Sequence, residues 1–175
     1  VVTTLLEPGG RAEGAPIVLR GNLGIAYQGT IPLGAGFMLG LDEARALLAD
    51  ERNAEILAPY LNGEDLNSRP DSSHSRMIIN FGMRTLEEAS SYSDLIEIVR
   101  DRVLPERGRQ NDVAARNFWW RFLRPRNELY ATLRNRKTAI AIALVSKTVT
   151  PVRVESSFVF ANTIGIFLLD QYSDL

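Results

Sequence analysis

Lys147, Arg153 and Glu155 are separated by even numbers of residues, so if residues 147–155 are extended, the three side chains project from one face of a strand. Arginine can pair bidentately with guanine and glutamate can accept from the cytosine N4 amine, so such a face has the chemistry to read base edges. A mutual surface pair of Arg153 with Glu155, worth little, accounts for the same residues, and both readings stand. Upstream, Arg116, Arg121, Arg124 and Arg126 surround Phe118, Trp119 and Trp120. These arginines suit phosphate contacts, which need only charge and reach. Adjacent indoles on a helix point about 100° apart, so at most one of the two tryptophans would face a ligand. In the polar run from Asn62 to Arg69, turn chemistry explains Asn62-Gly63 and local amides explain Asp65. Arg69 is the member of that run with the reach to touch DNA.

Other constellations exclude more than they offer. Asp71-Ser72-Ser73-His74-Ser75 holds the residue types of a catalytic triad, but a triad is assembled from distant segments, and consecutive residues cannot orient one another in that way. A metal-dependent nuclease needs clustered carboxylates with a lysine, and Glu155 near Lys147 and Arg153 lacks a second placed acid. Gly34 and Gly36 lack the strand, loop and helix unit with a downstream acid that a cofactor-binding loop requires. There is no cysteine and a single histidine, His74, which removes disulfides and thiolate or imidazole zinc sites.

Charge is distributed unevenly. The net charge is −1 over 175 residues, yet residues 102–153 carry twelve Lys and Arg against three Asp and Glu, whereas residues 1–101 carry eight against fifteen. Distribution, not net charge, sets an electrostatic footprint, so the basic block points to a polyanion, with part of it explained by ion pairs to acidic helices. A composition of 45% hydrophobic and 23% charged residues suits one globular domain. No apolar run reaches the ~20 residues of a membrane span. The first residues have neither an initiating Met nor a basic leader region, so a start inside a longer chain is expected, and the lack of cysteine fits a bacterial cytoplasmic setting.

The elements that must position these groups follow from periodicity. Pro8, Gly9, Gly10, Gly14 and Pro16 mark residues 1–16 as a linker or arm, leaving residues 17–175 as the domain. Short strands are expected over residues 25–31 and 37–39, and short helices over 42–49 and 53–57. A turn at residues 61–65 and a loop to Ser75 lead to a central strand over 77–81. Helical spacing then runs to Val103 and stops near Pro105 and Gly108. A basic aromatic helix from Arg116, a second helix from Pro125 with Leu129, Tyr130 and Leu133 inward, a buried strand over 138–145, an edge strand over 149–154 and two apolar segments over 158–169 complete the chain. Strands and helices come in groups, which predicts an α+β fold with a mixed sheet flanked by helices.

The chain also resembles the target-recognition domain of the MmeI-like (type IIL) restriction-modification enzymes and related class I adenine DNA methyltransferases. The resemblance is carried by Tyr27-Gln28-Gly29-Thr30 with Gly34-Ala35-Gly36-Phe37, by Pro59-Tyr60-Leu61-Asn62-Gly63-Glu64-Asp65-Leu66-Asn67-Ser68-Arg69-Pro70, and by Ile79-Asn80-Phe81. Pro105-Glu106-Arg107, Trp119-Trp120, Ser146-Lys147-Thr148 and residues 158–169 add shorter matches. The family usually has Phe at Tyr27, a helix-capping Thr at Gly40 and aromatic residues where Gly82-Met83-Arg84 stands. The resemblance implies a fragment that binds double-stranded DNA and lends specificity to a methyltransferase domain of the same parent chain. Arg69, Arg116, Arg121, Arg124, Lys147, Arg153 and Glu155 would be its DNA contacts. S-adenosylmethionine and the Asn-Pro-Pro-aromatic motif that grips adenine would lie elsewhere in the parent, and no such motif occurs here. The competing expectation is a docking module that turns its basic half toward acidic protein surface.

Overall fold

The computed structural model describes residues 24–169, so the expected arm over residues 1–16 lies outside the described residues. The fold is α+β, with eight strands in two four-stranded sheets. The first sheet is antiparallel, in the order β1 (Ala26–Gln28), β8 (Ile164–Phe167), β5 (Thr138–Ala143), β6 (Val152–Glu155). The second is mixed, in the order β2 (Met38–Gly40), β4 (Arg76–Ile79), β3 (Leu57–Leu61), β7 (Val159–Phe160), and only β3 and β7 run parallel.

Strand β3 and the helix after it depart from the expected helix at 53–57 and turn at 61–65. Pro59 inside an inner strand is the reason the strand is hard to read, because proline cannot donate to a ladder. Here the backbone tolerates it. Asn80 N–H donates to the Ile56 carbonyl at 2.9 Å, so the hydrogen-bonded pairs toward β4 fall at Ala58 and Tyr60, and Pro59 opposite Met77 is a non-bonded pair. Its nitrogen faces the other side, where β7 starts pairing only at Tyr60. Asn62 then acts as a helix cap. Its Oδ1 accepts from the amides of Glu64 (2.8 Å) and Asp65 (3.0 Å), and Asp65 returns a carboxylate to the Asn62 amide. This capping box satisfies the orphan donors of α2 (Gly63–Ser68).

Helices α1 (Leu41–Leu47), α3 (Leu86–Ser90), α4 (Ser93–Arg102), α5 (Leu104–Gly108) and α6 (Val113–Asn117) follow the second sheet in their packing. A core of Phe37, Ile78, Phe81, Leu95, Val99, Trp119 and Trp120 joins them. The expected aromatic helix from Arg116 stops at Asn117, and residues 118–120 form a turn. Both indoles are buried, edge to face at 5.8 Å, and Trp120 Nε1 donates to the Arg84 carbonyl. Neither is presented to a ligand. Helix α7 (Asn127–Leu133) turns Leu129 and Leu133 into a second core with Ala139, Ala141, Val154, Ile164 and Ile166. Tyr130 packs against both cores, and its hydroxyl accepts from the Phe160 amide at 3.0 Å; burial pushes its pKa well above the ordinary phenol value.

Candidate nucleic-acid interface

On β6 the burial alternates as the side-chain period of two demands. Val154 enters the second core, while Arg153 and Glu155 on either side of it are exposed on the opposite face. The expected common face therefore exists for these two. Arg153 Nη1 donates to Thr138 Oγ1 at 3.2 Å across the β5–β6 ladder, and Glu155 Oε2 accepts from the Ser157 hydroxyl at 3.3 Å. Lys147 departs from the expectation. Strand β6 begins only at Val152, and residues 144–151 are the connection of the β5–β6 hairpin, so even spacing does not place Lys147 on the strand face. Lys147 is instead exposed in that connection, beside α2, where Asn67 Nδ2 donates to the Val145 carbonyl at 3.1 Å.

Two depressions line this flank. One lies between α2 and the hairpin connection and includes Leu66, Asn67, Lys147, Thr148 and Thr150. The other lies between the loop after α2 and β6, and is lined by Asp71, Ser73, His74, Arg153, Glu155 and Phe158. Arg69 caps the C-terminal end of α2, 3.6 Å from the buried Asp65 carboxylate, and donates to Ser73 Oγ at 3.2 Å. Asp71 accepts from the Ser73 amide, which holds its pKa below the usual carboxylate value. Ser73 is thus bonded to Arg69 and Asp71, with the His74 ring tilted at 59° to that of Phe158 and 5.7 Å between centroids. The structure thus sets Arg153 and Glu155 together in the second depression, with Arg69 bonded to Ser73 on its wall, and leaves Lys147 in the first.

The other three candidates belong to the segment from α6 to α7. Arg116 is exposed and donates to the Gln110 carbonyl at 2.7 Å. Arg121 is half-buried, its Nε bonded to the Arg84 carbonyl at 2.9 Å and its guanidinium 5.0 Å from the Phe118 ring and 5.3 Å from that of Trp120. Arg124 exposes its side chain while its backbone N–H and carbonyl both pair with Ile31 at 3.1 Å. The basic block is not a continuous charged strip. Arg102 is paired with Glu43 at 2.6 Å, and Arg107 is 1% exposed. The glycines at 34 and 36 lie in close packing: a Cβ at Gly36 would stand 2.4 Å from Arg102 Cβ.

The structure of the type IIL restriction-modification enzyme MmeI in complex with DNA matches with a TM-score of 0.63 and 10% sequence identity, covering 82% of this chain and 19% of that chain. The two share a fold. The chain thus spans about a fifth of the length of that enzyme. No protein-family model matches the chain, and no curated protein matches it. No helix among the described residues is long and apolar enough to cross a membrane, and no group of three His, Cys, Asp or Glu among them could hold a metal ion.

Asn67 of the polar run ties α2 to the hairpin connection, Arg126 of the arginine group adopts a left-handed backbone with φ 57°, and Arg107 is a buried strut, a role the motifs did not reveal. For Arg107 a signal existed: Val99, Val103 and Arg107 follow at intervals of four, which puts the guanidinium in the apolar phase of the helical segment. A cation in that phase is either snorkelling or bonded internally.

Proposed function

We propose that this chain is the target-recognition domain of a larger N6-adenine DNA methyltransferase or fused restriction-modification enzyme, and that it binds duplex DNA sequence-specifically. The observation that carries the reading is the pair Arg153 and Glu155, two residues apart on the exposed face of an edge strand. On a strand such side chains stand roughly 7 Å apart, a span suited to the two bases of one pair or to successive pairs, with Arg on guanine and Glu on cytosine N4. The shared fold with an enzyme solved on DNA supports it. Arg69 and Lys147 flank the reader, and Arg116, Arg121 and Arg124 hold the backbone.

Catalysis is assigned to the rest of the parent, which binds S-adenosylmethionine and flips the target adenine. This chain then contributes selection. A second role, docking on that methyltransferase domain, is favoured by a depression lined by Met83, Phe118, Leu123 and Pro125, with Met83 and Phe118 exposed.

The test is titration of the chain against a labelled duplex at several salt concentrations. Weak binding that declines steeply as salt rises is expected, because phosphate contacts release counterions. Binding indifferent to ionic strength, or none at low salt, refutes the reading.

A further inference from the structure

A cleft lies between β1 and the first turn of α7. It has a volume of about 600 Å³ and is lined by Tyr27, Gln28, Arg124, Arg126, Asn127 and Glu128. We infer that it seats one phosphate of the DNA backbone between Arg124 and Arg126, an inference that rests on the DNA-binding reading above.

The two arginines are held unlike ordinary surface cations. Arg126 sits at φ 57° and ψ 48°, a conformation disfavoured for a residue with a Cβ. Its guanidinium is fastened to β1, with Nε donating to the Gly29 carbonyl at 3.4 Å and Nη2 to Gln28 Oε1 at 3.2 Å. Gln28 is fixed in turn, since its Nε2 donates to the Asn162 carbonyl at 2.8 Å. Neither arginine has a carboxylate partner among the described residues. Arg124 is anchored through its backbone to Ile31, and Pro125 between them has a ring-fixed φ. The cleft is therefore offered the whole guanidinium of Arg124, on an anchored backbone, and the Nη1 donors of Arg126, whose Nε and Nη2 fix its plane; such donors suit phosphate oxygens. Glu128 on the wall leaves the cleft with one net positive charge, matched to a singly charged phosphodiester and poorly to a polyphosphate.

Position relative to the reader supports the assignment. Gln28 pairs with Gly165, Gly165 with Ile142, and Ile140 with Arg153, and residues paired across a ladder point to the same face. Gln28 and Arg153 thus share a face at opposite edges of the sheet, three strand spacings across and two residues along, or about 16 Å apart. A major groove is ~12 Å wide, so a side chain reading the groove from β6 has a backbone phosphate at a comparable distance. The cleft is where such a phosphate would be gripped.

The experiment uses the whole chain, a labelled duplex of random sequence and a series of NaCl concentrations, comparing wild type with R124Q, R126G and R45Q. R126G retains the left-handed backbone, and R45Q changes the same charge on α1. R124Q and R126G should each weaken binding several-fold and lower the slope of log affinity against log salt by about one, the signature of one lost phosphate, with R45Q unchanged in both. Thermal melting checks that all variants are folded. If wild type binds but R124Q and R126G match it in affinity and slope, the cleft assignment falls and DNA binding stands. If wild type does not bind, both fall. A further arm adds inorganic phosphate at matched ionic strength. Competition specific to phosphate, without loss of duplex affinity in R124Q, would assign the cleft to the free ion and overturn the proposal.

Discussion

Arg107 and Leu33 lie 74 residues apart, and the guanidinium Nε of the first donates to the carbonyl of the second at 2.6 Å. The same side chain donates to the carbonyls of Pro32, Ala115 and Arg121, so one residue of α5 ties the loop before β2 to α6 and to the turn that follows it. Burial pulls its pKa below the ordinary guanidinium value, with Glu106 and Asp112 opposing, and the group stays charged at any ordinary pH. R107M keeps volume but strands four carbonyls. It should cost roughly 3 to 5 kcal/mol, read as a lower midpoint in urea denaturation. A midpoint within error of wild type would show that the carbonyls find other partners.

Reading residues and positioning residues should separate in the parent enzyme. Substitution of Arg153 or Glu155 should relax or change the preferred base at one position of the methylated motif, at about 1 to 3 kcal/mol of discrimination per lost bidentate contact. Arg124→Ala should lower activity at all sites alike, because a phosphate contact carries no sequence information directly. Sequencing of methylated sites scores both. An unchanged motif at high activity in both Arg153 and Glu155 variants would move the reader to the neighbourhood of Asn67 and Arg69.

Two glycines should respond oppositely to a side chain. A Cβ on Gly29 would stand 2.1 Å from the Ala161 carbonyl oxygen, which is backbone and cannot swing away, so Gly29→Ala should cost about 3 kcal/mol. Gly40 caps α1 at φ −65° with no side-chain cap, and nothing lies within 4 Å of its Cβ position. Gly40→Ser should add roughly 0.5 to 1 kcal/mol through the cap and a less disordered unfolded chain. Thermal melts of the two variants should shift in opposite directions. A shared direction would contradict the close approach at Gly29 or the open space at Gly40.

The chain should bind no S-adenosylmethionine, since Gly34 and Gly36 are occupied in close packing against Arg102 and Val103. Calorimetry should show no saturable heat. Micromolar binding would mean that a cofactor site exists outside these glycines.

Several features were legible in the residues because they depend on local periodicity. The α+β class, the inner position of β4, the edge position of β6 and the inward face of Leu129 and Leu133 follow from patterns of two and of 3.6, as does the common face of Arg153 and Glu155. Helix α2 was hidden because Asn-Gly satisfies turn and cap chemistry equally, and only the returned carboxylate of Asp65 distinguishes them.

Non-local pairing settled the rest. Pro59 is admissible in β3 because its neighbour β7 arrives from a hundred residues downstream and pairs only past it. The division of the strands into two sheets, and of the basic block into a buried strut, paired cations and a few exposed ones, depends on which carbonyls and carboxylates folding brings near each arginine. A sequence counts charges, but solvation and partners are properties of the packed chain: Arg107 and Arg124 are the same residue type in the same basic block, one enclosed by four carbonyls and the other exposed to solvent.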